Sequence, residues 1–238
     1  MKIKICGITS AHDALSAAEA GADYVGLNFV GGPRRIDAPR AESILVVLPE
    51  SATPVALIDV SRGGVSGTLQ PILEQHGVRH LQMYGEVDPE TIARLNGEGF
   101  RTWLVRHVRS DEFAADTRTF LDRCGSDRPA AVLLDAFDPA MRGGTGRTVD
   151  WTRIDEVRRA GRFDDWPPIL LAGGLTPDNV ARAVEAVRPW GVDVSSGVEE
   201  SAGCKSPEKM KAFVLAAREG GRFAGPNHAG DTQWKRED

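Results

Sequence analysis

Met1-Lys-Ile-Lys-Ile-Cys-Gly-Ile-Thr-Ser10 runs directly into Ala11-His-Asp-Ala-Leu-Ser-Ala-Ala-Glu-Ala20, and the junction between the two segments sets the fold. Ile3 to Ile5 is a short β-branched run that stops at Gly7, the pattern of a buried strand, and Ser10 stands where a helix cap belongs. Cys6 therefore falls at the carboxyl end of strand one, the end at which open α/β sheets and barrels both bind their ligands. Two readings of this residue stay open here. A free cysteine is most simply a small buried core residue, and a thiol at a strand end can also do chemistry.

The same unit recurs along the chain. Strand candidates are Ile3–Ile5, Tyr24–Asn28, Val55–Asp59, His80–Met83, Thr102–Arg106, Ala131–Asp135, Ile169–Ala172 and Val192–Ser195, each short and apolar enough for burial on both faces. The helices predicted between and after them span Ala11–Ala20, Ala41–Leu48, Leu69–Gln75, Pro89–Glu98, Asp111–Arg123, Trp151–Ala160, Pro177–Val187 and Pro207–Arg218. Gly21 marks the end of the first, Asp150 caps the sixth, and Thr176-Pro177 and Ser206-Pro207 each pair a cap with proline at the first helical position. Eight strand–helix units close most naturally as a single-domain parallel (β/α)8 barrel, with an open doubly wound sheet as the alternative. The barrel is expected over residues 1–219, and residues 220–238, polar and glycine-rich without period, are expected to form a disordered tail.

Composition narrows the function classes. A chain of 238 residues with 41% apolar content can bury one large core, and its net charge of −5 with no long basic run gives no nucleic-acid footprint. No apolar run approaches the roughly 18 residues of a membrane span, and the N-terminus lacks a signal-peptide core, so a cytoplasmic address is expected. Cys6, Cys124 and Cys204 are odd in number and far apart, which disfavours a disulfide framework. His12, His76, His80, His107 and His228 show no paired ligand spacing, so they read as surface or structural residues and no metal is expected.

Function in a barrel is sought at the strand ends. Strand one ends in Cys6, strand six in Asp135, strand seven in Ala172-Gly173-Gly174 and strand eight in Ser195-Ser196-Gly197. Glycines let backbone N–H groups approach an anion closely, and small residues after strands seven and eight occupy the usual phosphate position of such barrels. A lone Gly-Gly is more often a turn. Two such ends on consecutive late strands favour a phosphate grip at Gly173, Gly174, Ser195, Ser196 and Gly197. After strand two, Arg34-Arg35 could hold a carboxylate or phosphate through bidentate contacts, or could be a solvated turn. The long segment after strand six, with Gly143-Gly-Thr-Gly146, is too short for a nucleotide-binding Walker loop and reads as a lid or substrate-lining loop.

Lys4-Ile-Cys-Gly-Ile-Thr9, Leu81-Gln82 with Gly85, Leu133-Leu-Asp135, Gly143-Gly-Thr-Gly146 with Asp150-Trp151, Leu171-Ala-Gly-Gly-Leu-Thr-Pro177 with Asn179-Val180, and Asp193-Val-Ser-Ser-Gly-Val-Glu199 together resemble phosphoribosylanthranilate isomerase, in family order from residue 2 to about residue 215. The resemblance implies an Amadori rearrangement of an aminoaldose phosphate in tryptophan biosynthesis, with a small-molecule sugar-phosphate substrate, no cofactor and no obligate protein partner. It assigns the general base to Cys6 and the general acid to Asp135. It further implies that Arg34 or Arg35 meets the anthranilate carboxylate, that Gln82 and Asp193 line the pocket, and that residues 173–174 and 195–197 bind phosphate. A thiol base should have its pKa lowered by nearby donors or positive charge, whose source the sequence does not show.

Three positions depart from the family pattern: Tyr84 stands in place of a histidine, Asp59 in place of an asparagine, and two arginines in place of one. They leave room for a different aminoaldose phosphate as substrate. A related lyase barrel of the indoleglycerol-phosphate synthase or tryptophan-synthase α type is the first competing class, and Cys6 at the end of strand one speaks against it. A barrel that binds ligand without turnover is the second. Cys204 reads as incidental.

Overall fold

The eight apolar runs close into an all-parallel barrel in the computed structural model, with neighbours in strict chain order and β8 paired back onto β1. The strands are β1 (Lys2–Cys6), β2 (Tyr24–Asn28), β3 (Thr53–Asp59), β4 (His80–Tyr84), β5 (Arg101–His107), β6 (Ala131–Asp135), β7 (Ile169–Leu171) and β8 (Gly191–Val194). Helices α1 (Ala11–Ala20), α2 (Ala38–Leu45), α3 (Leu69–Gln75), α4 (Pro89–Gly97), α5 (Phe113–Cys124), α6 (Trp151–Arg159), α7 (Val180–Val187) and α8 (Pro207–Phe223) follow them in turn. The described residues are 1–62, 65, 67, 69–110, 112–135 and 150–223, so Gly143–Gly146 and the segment beyond Phe223 lie outside them.

Strand periodicity explains why these runs read as continuously apolar. Alternate residues point to opposite faces of a strand. One set, including Ile3, Ile5, Val25, Leu27, Ile58, Leu81, Leu104, Val132, Leu134 and Val192, packs outward beneath the helices. The other set, Tyr24, Val55, Trp103, Ala131, Leu133, Leu170 and Ala172, fills the barrel itself. Both faces of the sheet are thus covered, the condition for an all-parallel sheet.

Local chemistry accounts for most helix ends. Ser10 accepts a hydrogen bond from the Asp13 N–H at 3.0 Å, and Gly21 at φ 94° closes α1 in the left-handed conformation. Several ends differ from the sequence expectation, and at three the local structure shows the reason. Helix α2 starts at Ala38, because Asp37 caps the Arg40 N–H at 3.0 Å and Pro39 fits the first turn. Helix α7 starts at Val180, because the Asn179 side chain ties the Thr176–Asn179 turn, accepting from the Thr176 N–H at 2.8 Å and donating to the Gly174 carbonyl at 2.9 Å. Helix α8 continues to Phe223, five residues past Arg218 and through the point where the tail was expected to begin. A β-carbon at Gly220 would lie 2.6 Å from the Ala181 carbonyl, so this glycine serves close packing of α8 on α7. No helix among the described residues is long and apolar enough to cross a membrane.

Candidate active site

The inward-facing residues change character along the barrel axis. Above the apolar floor, β1 contributes Lys4 and Cys6, β4 contributes Gln82 and Tyr84, β6 contributes Asp135 and β8 contributes Asp193. Period-two alternation aims all of them inward, and their registers stack them toward the carboxyl ends.

Cys6, the last residue of β1, is 7% exposed. Beneath it Lys4 is fully buried, and its Nζ donates to Asp193 Oδ1 at 2.9 Å. Burial pushes the Cys6 thiol up from its ordinary value, and Lys4, followed more weakly by Lys205, pulls the other way. A thiol base was expected to lie below its ordinary value. The structure corrects that: the positive charges are present, and the desolvation of a fully enclosed sulfur outweighs them.

Arg34 reaches the same corner from the loop after β2. Gly7, at φ 74°, makes room for it, since a β-carbon there would stand 2.6 Å from Arg34 Cδ. Its guanidinium forms a bidentate fork on Glu199, Nε to Oε1 and Nη2 to Oε2, each at 2.7 Å. Nη1 stands outside that fork. Glu199 opens β9 (Glu199–Ser201), which pairs with β10 (Cys204–Lys205) in a small antiparallel hairpin after β8. Lys205 is buried there, donating to Glu199 Oε1 at 2.8 Å and to the Ser195 carbonyl at 3.0 Å. Burial pushes the Glu199 carboxyl up, and hydrogen bonds from Arg34 and Lys205 outweigh it, holding the group below its usual range. Arg35 is exposed, with its backbone N–H returned to the Gly32 carbonyl at 3.1 Å. Of the paired arginines, only Arg34 joins the cluster.

Gln82 is 1% exposed and donates from Nε2 to the Tyr84 hydroxyl at 2.7 Å. The phenol is pushed well above its usual value by burial and by the nearby charges of Cys6, Asp135 and Asp193. Both candidate acid–base groups thus act on Tyr84 electrostatically. Asp135, half-buried at the end of β6, lies in register with His107 of β5.

The small-residue ends also fall into place. Gly173 and Gly174 adopt φ values of 87° and 64° after β7, and Ser196 to Val198 make one 3₁₀ turn after β8. Gly197 has a packing reason of its own, because a β-carbon there would collide with the Leu175 carbonyl at 1.9 Å. The two turns therefore press against each other as one surface. Lys4, Glu199 and Lys205 received no role from the sequence, although Lys4 and Glu199 lie within the quoted motifs. Lys4 had a legible signal, since a lysine two residues before Cys6 in an apolar strand must share its inward face. Glu199 and Lys205 had none, because their partnership depends on the hairpin. No group of three or more His, Cys, Asp or Glu side chains able to hold a metal is found among the described residues.

A closed barrel with a thiol, carboxylates and cations gathered at one end of its strands has the architecture of a (β/α)8-barrel enzyme. The family model for N-(5'-phosphoribosyl)anthranilate isomerase matches residues 3–216. The N-(5'-phosphoribosyl)anthranilate isomerase of Chlorobaculum tepidum is 40% identical over 223 residues, 93% of this chain and 96% of the relative. That of Acidithiobacillus ferrooxidans is 40% identical over 220 residues, covering 92% and 98%. The solved phosphoribosyl anthranilate isomerase of Thermotoga maritima superposes with a TM-score of 0.76 at 31% identity, covering 92% of this chain and 98% of that one. A phosphoribosyl anthranilate isomerase solved with reduced 1-(o-carboxyphenylamino)-1-deoxyribulose 5-phosphate gives a TM-score of 0.73 at 28% identity and the same coverage. The chain belongs to the phosphoribosylanthranilate isomerase family.

Proposed function

We propose that this enzyme converts N-(5-phosphoribosyl)anthranilate to 1-(2-carboxyphenylamino)-1-deoxyribulose 5-phosphate, the Amadori step of tryptophan biosynthesis. The observation that carries the reading is the placement of Cys6 and Asp135 at the ends of β1 and β6, on opposite sides of one barrel mouth, in a chain of this family.

Asp135 delivers a proton to the ribose ring oxygen as the C1–O bond breaks, and the lone pair of the anthranilate nitrogen forms a protonated imine at C1. That cation acidifies the neighbouring C2–H. The Cys6 thiolate removes this proton, and the C–H electron pair becomes the C1=C2 bond of an enaminol. Ketonisation then returns a proton to C1 while the C2 hydroxyl loses its own, so the step is a net hydrogen shift requiring no redox partner. The carboxylic acid suits the first task because a partly enclosed carboxyl can be held protonated until used.

Substrate binding is assigned around these two groups. Gly173, Gly174, Ser195, Ser196 and Gly197 form the phosphate surface, supported by the contact between their turns. Arg34 meets the anthranilate carboxylate through the Nη1 edge that its fork on Glu199 leaves outward, and Gln82 and Asp193 line the pocket. Arg35, exposed, is the weaker candidate for that carboxylate. Loss of anthranilate fluorescence on adding purified enzyme to the substrate tests the reading. Turnover supports it, and binding without turnover would favour a ligand-binding relative.

A further inference from the structure

Beneath the proposed base lies a buried cation to which the acid and base assignments give no task. Lys4 and Cys6 are two residues apart on β1, so both project into the barrel. Lys4 is the register partner of Asp193 on β8, and its fully buried Nζ donates to Asp193 Oδ1 at 2.9 Å. An ammonium has three N–H donors, and this bond uses one. The same ammonium lies one inward position below the buried Cys6 on the same strand face, where its charge favours the thiolate. A buried ion pair is no better for stability than well-packed apolar residues of the same volume, so stability alone gives no reason for one in an otherwise apolar strand.

Resting on the reading of Cys6 as the base, we propose that Lys4 is a positioning residue that holds the thiolate form of Cys6, while Asp193 keeps the ammonium in place and limits how strongly it acts. Other groups face the sulfur as well: Lys205 from β10, Arg34 from the loop after β2, and Tyr84 from β4. Lys205 and Arg34 are both committed to Glu199, and the phenol is neutral. Lys4 is the cation directly below the thiol on its own strand.

The test is a titration of the Cys6 thiolate by ultraviolet absorbance, read as each protein minus its Cys6→Ser counterpart, within the pH range where circular dichroism shows the native fold. Lys4→Met should move the midpoint upward, and Asp193→Asn should move it downward. The Lys4→Met/Asp193→Asn double variant should sit above wild type, because the cation acts on the sulfur more strongly than the carboxylate does. Turnover of Lys4→Met at neutral pH should fall by about tenfold or more, the reach of one opposite charge within a few ångströms. If Lys4→Met fails to fold with Asp193 left unpaired, the double variant carries the same prediction with both charges gone. Midpoints that coincide with wild type in Lys4→Met, or in the double variant, overturn the proposal. Shifted midpoints in a protein with no isomerase activity would support the Lys4–Cys6 coupling and sink the catalytic reading instead.

Discussion

The floor and the mouth of this barrel hold opposite kinds of residue. On the floor, Tyr24, His80 and Trp103 form an aromatic cluster, with Trp103 edge-on to Tyr24 at 5.0 Å and to His80 at 5.6 Å between ring centroids. Within it Trp103 Nε1 donates to His80 Nδ1 at 3.1 Å. At the mouth, Lys4, Asp193, Arg34, Glu199 and Lys205 bring ionic groups into an enclosed space around one thiol. One layer packs uncharged aromatic rings, while the other accepts desolvation costs that chemistry can use. Aromatic packing and ionic groups are thus separated along the barrel axis, the arrangement expected when function sits at strand C-termini.

Substitutions can break that separation. The largest expected effect is at the mouth: Cys6→Ser should lower turnover by on the order of 10²–10⁴-fold, with thermal stability and binding of the reduced product analogue retained. Stopped-flow fluorescence beside a melting curve checks both halves. On the floor the effect should invert. Trp103→Ala removes a fully buried indole and should cost about 3–5 kcal/mol of stability in denaturant unfolding, while turnover per folded molecule stays within a few-fold of wild type.

The smallest of these effects is a pH dependence seated on the floor. His80 is held down to about 4, first by burial and then by the Arg101 charge. Its Nδ1 accepts from Trp103, so charging the ring would put a proton where an N–H already points. A folded-state pKa below the unfolded value of about 6.5 means this stabilising contribution is complete above that value and is lost as pH falls toward 4. The loss is at most about 3 kcal/mol. Urea unfolding at neutral pH and near pH 4.5 should show it, and His80→Gln, which accepts the same bond without titrating, should flatten it. An unchanged slope in that variant would place the acid sensitivity elsewhere.

The layers also differ in how far the sequence disclosed them. Apolar runs of three to five residues announced the strands, because both faces of each strand are buried and the pattern is local. Ser10, Asp150 and Gly21 announced helix ends for the same reason. Helix α8 extends past its expected end: the glycine-rich composition from residue 220 reads as a tail, whereas Gly220 packs on Ala181 of α7. Cys6 and Asp135 were legible as strand ends. The Arg34–Glu199–Lys205 chain was not, since its members come from a loop and a hairpin 165 residues apart, and nothing local couples them. The direction of the Cys6 shift was missed for a related reason: the sequence suggests cations near the thiol but does not show how completely the sulfur is enclosed.

The central claim is that the mouth performs acid–base chemistry with Asp135 as the proton donor, and Asp135→Asn tests it most directly. The amide keeps the shape and hydrogen-bonding capacity of the side chain but cannot deliver the proton to the ring oxygen. In a single-turnover comparison the variant should be slower by on the order of 10²–10⁴-fold, while calorimetry with the reduced product analogue should show nearly unchanged binding, because that interaction is realised only in the transition state. A variant that turns over within a few-fold of wild type, or that loses binding and rate in equal measure, would contradict Asp135 as the acid and the mechanism with it.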